Sequence, residues 1–275
     1  MLGLVVTAPA HEAELASDAL WTLGVVAIEE RNEGDQIELW TSLGDDRASV
    51  IGAASTLLAR WPWRLVEVDE TVADTWRLHA EPTWIAPDLV VCPAWIPFPD
   101  SPGVTAIRIE PGATFGLGDH PTTVLSMRAV REVLRSGSTV LDVGCGSGVL
   151  AVAACVLGAA SARAIDISPA SVPTTRTNAD VNGVGDRVDV SVTPLVEVDG
   201  QFDIVVANIL APTLIDLADD LIRVTAPGGA LVVSGVLADR HDHVEAALRP
   251  LQRTDRTTLD GWAALTFVTP GDVSA

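Results

Sequence analysis

The chain of 275 residues has no lysine and no tyrosine, and only three cysteines, four phenylalanines and two methionines. All 17 basic residues are therefore arginine, set against 37 acidic ones, for a net charge of −20. These shortages exclude several functions. Without a basic stripe the chain lacks the electrostatic footprint of a nucleic-acid binder, and phosphate backbones and anionic membrane surfaces would repel it. Cys92, Cys145 and Cys155 are scattered, with no C-x-x-C and no cysteine–histidine spacing, so neither a disulfide framework nor a zinc site is signalled. The longest apolar run, Val149 to Ala160, falls short of the ~20 residues that a membrane span needs. The N-terminus lacks the basic region of a signal peptide. These readings place the protein in the cytoplasm, with no direct nucleic-acid partner and no membrane association; a monomer is expected. The charge itself has two readings: an ordinary acidic surface, or long-range attraction of a basic partner.

What is present is 48% hydrophobic residues, enough for a sizeable core, in two patterns. Residues 1–68 read as strand (Leu2–Thr7), helix (His11–Leu23), strand (Val25–Glu29), strand (Gln36–Trp40), helix (Arg47–Arg60) and strand (Leu65–Val68). Turn chemistry falls at Arg31–Gly34. The order β-α-β-β-α-β predicts a small ferredoxin-like α+β domain. Glu29, Glu30, Glu38, Glu67 and Asp69 on its strand segments favour a protein-recognising surface over an RNA-binding one. Residues 69–104 form a linker rich in proline and tryptophan, with room for a short hairpin at Thr83–Ile85 and Leu89–Cys92. Over 105–275 strand and helix alternate. A strand at Thr105–Glu110 and a helix at Val124–Leu134, with Thr122 and Thr123 as capping chemistry, come first. Strands at Thr139–Val143, Ala162–Ile167, Val188–Val190, Phe202–Ala207 and Ala230–Ser234 then alternate with helices at Val149–Leu157, Ser171–Val181, Pro212–Val224 and Arg240–Leu248. This predicts an open, mostly parallel, doubly wound α/β sheet, finished by a hairpin of Thr254–Thr258 and Ala263–Val268.

In such a sheet, ligands bind beyond the carboxyl ends of the strands, and three ends carry chemistry. The first is Asp142 followed by Gly144, Gly146 and Gly148, where glycines admit a ligand to the backbone and a helix N-terminus offers N–H groups. The second is Asp166, placed to reach the hydroxyls of an adenosine ribose. The third is Asn208, a polar amide between Ala207 and Ile209. A nicotinamide dinucleotide wants G-x-G-x-x-G; here the third glycine comes one residue early. The spacing G-x-G-x-G after Asp142 suits S-adenosylmethionine, which has no pyrophosphate to cradle and carries a positive sulfonium. Cys145 lacks a paired base for nucleophilic work. His241-Asp242-His243 at a helix start reads as a solvated cap, so no metal is expected.

Several segments together point to a family. FGLGDHPTT (115–123), VLDVGCGSGVLAVAA (140–154), AIDISPASV (164–172), Asn178, Asn182-Gly183, VVANILA (205–211) and PGGALVVSG (227–235) resemble the PrmA family, which methylates large-subunit ribosomal protein eleven. The stretch 17–40 is similar to that family's substrate-recognition domain. The resemblance implies a ferredoxin-like N-terminal domain joined by a linker to a class I, Rossmann-like methyltransferase domain. It implies methyl transfer from S-adenosylmethionine to lysine side chains and/or the N-terminal amine of a ribosomal large-subunit protein. Cofactor contacts are expected at Thr123, Gly144, Asp166 and Asn208, with Phe115, Asp142, Gly146 and Gly148 completing the set. Asn208 is expected to orient the amine through its side-chain carbonyl; His120 and Glu110 are candidate proton acceptors. Two alternatives stay open: a related enzyme acting on another protein, such as an electron-transfer flavoprotein subunit, and a non-catalytic cofactor-binding scaffold. The loop departs from the commoner family pattern at Leu117 and has Asp119 before His120. Substrate choice is accordingly expected in residues 1–68 and around Leu117.

Overall fold

The computed structural model describes residues 2–23, 25, 28–41, 46–57, 59–67, 80–99, 101–110 and 118–269. The chain divides into two compact units, Met1–Ala80 and Glu81–Ala275; the second begins inside the stretch 69–104 read as a linker.

The first unit runs β1 (Leu2–Pro9), α1 (Ala13–Thr22), β2 (Glu29–Glu33), β3 (Gln36–Thr41), α2 (Arg47–Leu57) and β4 (Trp63–Glu67). Its strands form one antiparallel sheet in the order β2-β3-β1-β4. Strand alternation sends Leu4, Val6, Ala8 and Leu39 to one face, where they meet Ala16 and Leu20 of α1 and Ala54 of α2. On the other face Val5 stands opposite both Trp40 and Arg64. The Arg31 and Arg64 guanidiniums lie 4.0 Å and 5.6 Å from the Trp40 ring centre. Glu38 accepts from Trp40 Nε1 and from Arg64, and the Arg64 contact holds its carboxyl below the usual range. One of the acids expected to make this face negative is thus neutralised by a neighbour. The second strand is also shifted: it lies at Glu29–Glu33, not Val25–Glu29, and pairs through Glu33 opposite Gln36. Arg31 to Glu33 look like turn residues because they are polar. They extend the strand instead, and the turn contracts to the Gly34-Asp35 pair of a tight hairpin.

The second unit opens with a small sheet, β5-β6-β7 (Thr83–Ala86, Leu89–Pro93 and Thr105–Ile109). Then follow α3 (Pro121–Val133), β8 (Thr139–Val143), α4 (Val149–Val156), β9 (Ser161–Ile165), α5 (Ser171–Val181), β10 (Val188–Ser191) and β11 (Phe202–Asn208). The chain ends with α6 (Ala211–Asp216), α7 (Ala218–Val224), β12 (Thr225–Leu237), α8 (Asp242–Ala247), β13 (Gln252–Leu259) and β14 (Trp262–Val268). The large sheet has the order β10-β9-β8-β11-β12-β14-β13. Its first five strands are parallel, and the last hairpin is antiparallel. The chain steps outward from β8 to β10, then returns to place β11 on the other side of β8. The β8/β11 boundary is the switch point where such sheets bind ligands.

Both faces of this sheet are covered. Val140, Ile204, Val206 and Val232 join one core with α3, α4 and α5 residues; Leu141, Val143, Val205, Ala207, Leu231 and Val233 join another with Leu214, Leu221 and Val244. Each buried Val or Leu contributes about 1.5–3 kcal/mol relative to an exposed one, and double coverage explains why these strands read as unbroken apolar runs. The single helix expected over 212–224 is two, broken at Leu217 (φ −95, ψ 3); the apolar spacing continues across the break, so periodicity does not reveal it. Among the described residues no helix is long and apolar enough to cross a membrane.

Among the described residues, strand β7 has no strand on its outer edge. Asn182 of the turn after α5 fills that place at Arg108, accepting from the Arg108 N–H (2.9 Å) and donating to its carbonyl (2.7 Å). Asn178, one helical turn earlier, does the same for Glu110 (2.9 Å and 2.9 Å). Two amides four residues apart stand on one helical face and substitute for a neighbouring strand.

Candidate active site

Alternation along β8 turns Asp142 toward α4, whose first turn carries N–H groups without helical partners. Asp142 Oδ2 accepts from Ala151 N at 3.0 Å. The residue is 1% exposed and its Oδ1 has no hydrogen-bond partner among the described residues. Burial pushes the carboxyl up to about 7; the Ala151 N–H works against that shift and the charge of Asp166 works with it. A buried acceptor left unsatisfied costs about 1–3 kcal/mol, so Oδ1 calls for a donor, which a bound ligand would supply.

The glycine turn itself offers fewer free N–H groups than its sequence promises. Gly144 and Cys145 both donate to the Ile165 carbonyl (2.8 and 3.1 Å), Gly148 donates to the Cys145 carbonyl (2.7 Å), and Gly146 donates to Asp166 Oδ2 (2.8 Å). These bonds clamp the turn to the end of β9. What the glycine at 144 supplies is room: it has φ +74, and a Cβ there would collide with the Ile209 side chain. Gly148 abuts Thr175 of α5 in the same way. Asp166 also accepts from Ser168 N through Oδ1 (2.8 Å). Each of its oxygens holds one N–H and retains a second lone pair for a ligand hydroxyl. Beside it, Ile167 is 96% exposed, an apolar side chain standing at the carboxyl end of β9.

Asn208 closes β11, and its Nδ2 donates to Thr123 Oγ1 at 3.3 Å. Thr123 is buried in the first turn of α3. The sequence favours Thr122 and Thr123 as caps of a helix from Val124. Instead Pro121 opens the helix and His120 caps it: Nδ1 accepts from Thr122 N (3.3 Å) and lies 2.8 Å from Thr122 Oγ1. Proline fits the first helical position because its missing N–H would have lacked a partner there. The His120 ring packs edge-on against Trp262 at 5.4 Å. Burial pulls the imidazole pKa down, with Asp119 opposing, which favours the neutral ring. Phe115 and Leu117 lie outside the described residues. The Glu110 backbone is held by Asn178.

The structure thus gathers Asp142, Gly144, Gly146 and Asp166 at the ends of β8 and β9. Ile209, packed over Gly144, brings Asn208 and Thr123 alongside. The Cys145 thiol is pushed up by burial and by the Asp142 charge, which keeps it protonated and unsuited to nucleophilic attack. His241, Asp242 and Glu245 have potential ligand atoms within 4.8 Å of one another. The Arg256 and Arg253 guanidiniums stand 3.1 and 3.4 Å from His241 Nε2, and two cations at that nitrogen disfavour a metal ion. One feature escapes motif reading: buried Ser171, Thr175 and Asn178, with Asn182 beyond, form a polar stripe along α5. Thr175 Oγ1 donates to the Gly146 carbonyl (3.4 Å) and Asn178 Nδ2 to the Ser147 carbonyl (2.8 Å), propping the turn from behind. Their 4-3-4 spacing was the available signal.

The strand order, the glycine turn clamped by an acid at the next strand end, and the orphaned carboxylate oxygen at the switch point define a class I, S-adenosylmethionine-dependent methyltransferase domain. The profile of the ribosomal protein L11 methyltransferase (PrmA) family matches residues 57–270. The chain belongs to that family. It is 39% identical to the ribosomal protein L11 methyltransferase of Symbiobacterium thermophilum over 86% of this chain and 77% of that one. It is 41% identical to the enzyme of the same name from Citrifermentans bemidjiense, over 74% of this chain and 68% of that one. The crystal structure of a ribosomal protein L11 methylase from Lactobacillus delbrueckii subsp. bulgaricus superposes with a TM-score of 0.64 at 33% identity, covering 70% of this chain and 98% of that one. A flavoprotein subunit as target and a non-catalytic scaffold are not favoured by these relatives.

Proposed function

We propose that this chain transfers methyl groups from S-adenosylmethionine to amines of ribosomal protein L11, on lysine side chains and/or the N-terminal amino group. The observation that carries the reading is the Asn208 amide at the end of β11: its Nδ2 donates to Thr123 Oγ1, and we read its carbonyl oxygen as the acceptor for an incoming amine. When bound, the cofactor supplies an electrophilic methyl on a sulfonium. Asp142 through Oδ1, Asp166, Gly144 and Gly146 would hold it, and Ile167 offers an apolar surface for its base. Thr123 fixes Asn208. Asn208 Oδ1 accepts an N–H of the incoming amine and so aims its lone pair; positioning of this kind accounts for much of the rate of a group transfer. A free lysine has a pKa of about 10.4, so the amine sheds a proton to solvent before it attacks. His120 serves as a brace. Its Nδ1 lone pair takes the Thr122 N–H, so the neutral ring accepts a proton only by uncapping α3.

Residues 1–80 we assign to substrate recognition. The antiparallel order β2-β3-β1-β4, with both helices packed on one face, supports a ferredoxin-like domain. Residues 81–275 carry the transfer. Three buried free thiols fit a reducing cytosol, and a net charge of −20 argues against direct RNA contact.

The test is to incubate the purified chain with S-adenosylmethionine and purified L11, then map the modified residues by mass spectrometry. L11 should gain whole methyl increments on amines. The enzyme has no lysine, so any methyl-lysine found belongs to the substrate. An L11 that stays unmodified under donor saturation overturns the assignment.

A further inference from the structure

We propose that Gly235 of β12 is a positioning residue for methyl transfer: its lack of a side chain lets the segment 208–210 settle onto β12, and this sets where the Asn208 amide stands. The inference rests on the role given to Asn208 above.

Strands β11 and β12 pair in parallel as far as Asn208 opposite Ser234. Ile209 is therefore the first residue beyond the ladder, and Gly235 is the residue it meets. There the pairing of β12 with β14 slips, between Ser234 and Val236, and Gly235 adopts φ +85. A Cβ at Gly235 would strike the Ile209 backbone: its carbonyl oxygen first, then its carbonyl carbon at 2.8 Å and its amide nitrogen at 3.3 Å. Backbone cannot rotate aside as a side-chain tip can. From the opposite side, the Ile209 side chain occupies the space left by Gly144. Ile209 is thus seated between two glycines, one admitting its backbone and the other its side chain. A push on Ile209 passes straight to Asn208, whose contact with Thr123 is already long at 3.3 Å. The bonds that clamp the glycine turn, from Gly144, Cys145 and Gly146 to Ile165 and Asp166, all lie between β8 and β9. The Ile209 side chain can turn aside from Gly144 as its backbone cannot from Gly235, so a change at 235 should spoil the aim of the amine and leave the donor's floor intact.

Three variants separate aim from strain. Gly235→Ala adds the Cβ. Gly235→Asn adds the same Cβ in a residue that tolerates a left-handed backbone, which guards against simple misfolding. Gly137→Ala is the matched control, since Gly137 has φ +86 and open space around its missing Cβ. With L11 as substrate, both Gly235 variants should lose about a hundredfold in kcat, the scale of an ångström's misplacement, with donor Kd by calorimetry unchanged. Gly137→Ala should keep wild-type kcat. Adding Asn208→Ala to Gly235→Ala should cost no more than Asn208→Ala alone, because the glycine acts through that amide. The proposal is overturned if kcat stays at wild type, if kcat and donor affinity fall together, if the double variant is additive, or if both Gly235 variants fail to fold while Gly137→Ala folds. A wild-type chain that leaves L11 unmodified disproves the underlying function, and this proposal falls with it.

Discussion

Asp142 has a raised carboxyl pKa because burial disfavours its charge, with the Ala151 N–H opposing and the charge of Asp166 adding to the shift. An unfolded aspartate titrates near 3.9, the folded one near 7. Between those values the folded state holds a proton that the unfolded chain has released. The stability from this group is therefore full below about pH 4 and is lost as pH rises through 7. Asp142→Asn keeps an oxygen for the Ala151 N–H and cannot ionise. In urea unfolding of the larger unit, wild type should lose roughly 4 kcal/mol relative to Asp142→Asn between about pH 4 and well above pH 7; a pH-independent difference refutes the assignment. His120 gives a second test. As a cap it should tolerate asparagine, a strong N-cap, while alanine costs about 1 kcal/mol. Were it the proton acceptor, both variants would lose turnover alike. Kinetics and melting of His120→Asn and His120→Ala decide between these. The candidates Asp142, Asp166 and Asn208 stand out in the sequence because each is a polar residue at or next to the end of a largely apolar strand. The His120 cap is not, since threonine is the commoner cap and two threonines follow it.

Helix α5 shows what patterns of elements hide. Its inward face is polar, and its partners are backbone groups of β7 and of the glycine turn. Removing the Asn178 amide removes its three bonds, to the Glu110 N–H, the Glu110 carbonyl and the Ser147 carbonyl. A hydrogen bond contributes about 0.5–1.5 kcal/mol net, so losing the three of Asn178 should destabilise the larger unit in Asn178→Ala by roughly 3 kcal/mol. Asn182→Ala should cost less, because Asn182 is only half-buried and water can replace its amide. Equal losses on thermal denaturation would show that the edge of β7, and not burial, sets the cost. The alternation of β8 to β12 with their helices is readable because both sheet faces are covered by apolar residues. Hairpin β2–β3 is misplaced because polar residues, such as the exposed Glu30 and Arg31, serve in a strand as well as in a turn. The β5-β6-β7 sheet is only half visible, because its outer edge is satisfied by side chains some seventy positions away.

At the scale of the molecule the dominant fact is a charge of −20. A ribosomal protein must carry basic surface to sit on RNA phosphates, so enzyme and substrate should attract before they touch. Such steering raises association rates by 10-fold to 10³-fold and is screened as the Debye length shrinks from about 10 Å at 0.1 M salt. If it operates, kcat/KM for L11 should fall at least about tenfold between low salt and ~0.5 M, while kcat, measured on the bound complex, stays level. A flat kcat/KM would leave the charge as an ordinary acidic surface. The two compact units allow the source of recognition to be separated from the field. Residues 81–275 hold both apolar cores of the large sheet and the candidate cofactor contacts among the described residues, so a chain lacking 1–80 should still bind S-adenosylmethionine. It should lose kcat/KM for L11 at every salt concentration, because steering delivers a substrate but does not orient it. If the shortened chain methylates L11 as well as the full one, recognition lies in the larger unit, and the Arg31–Trp40–Arg64 face has another use.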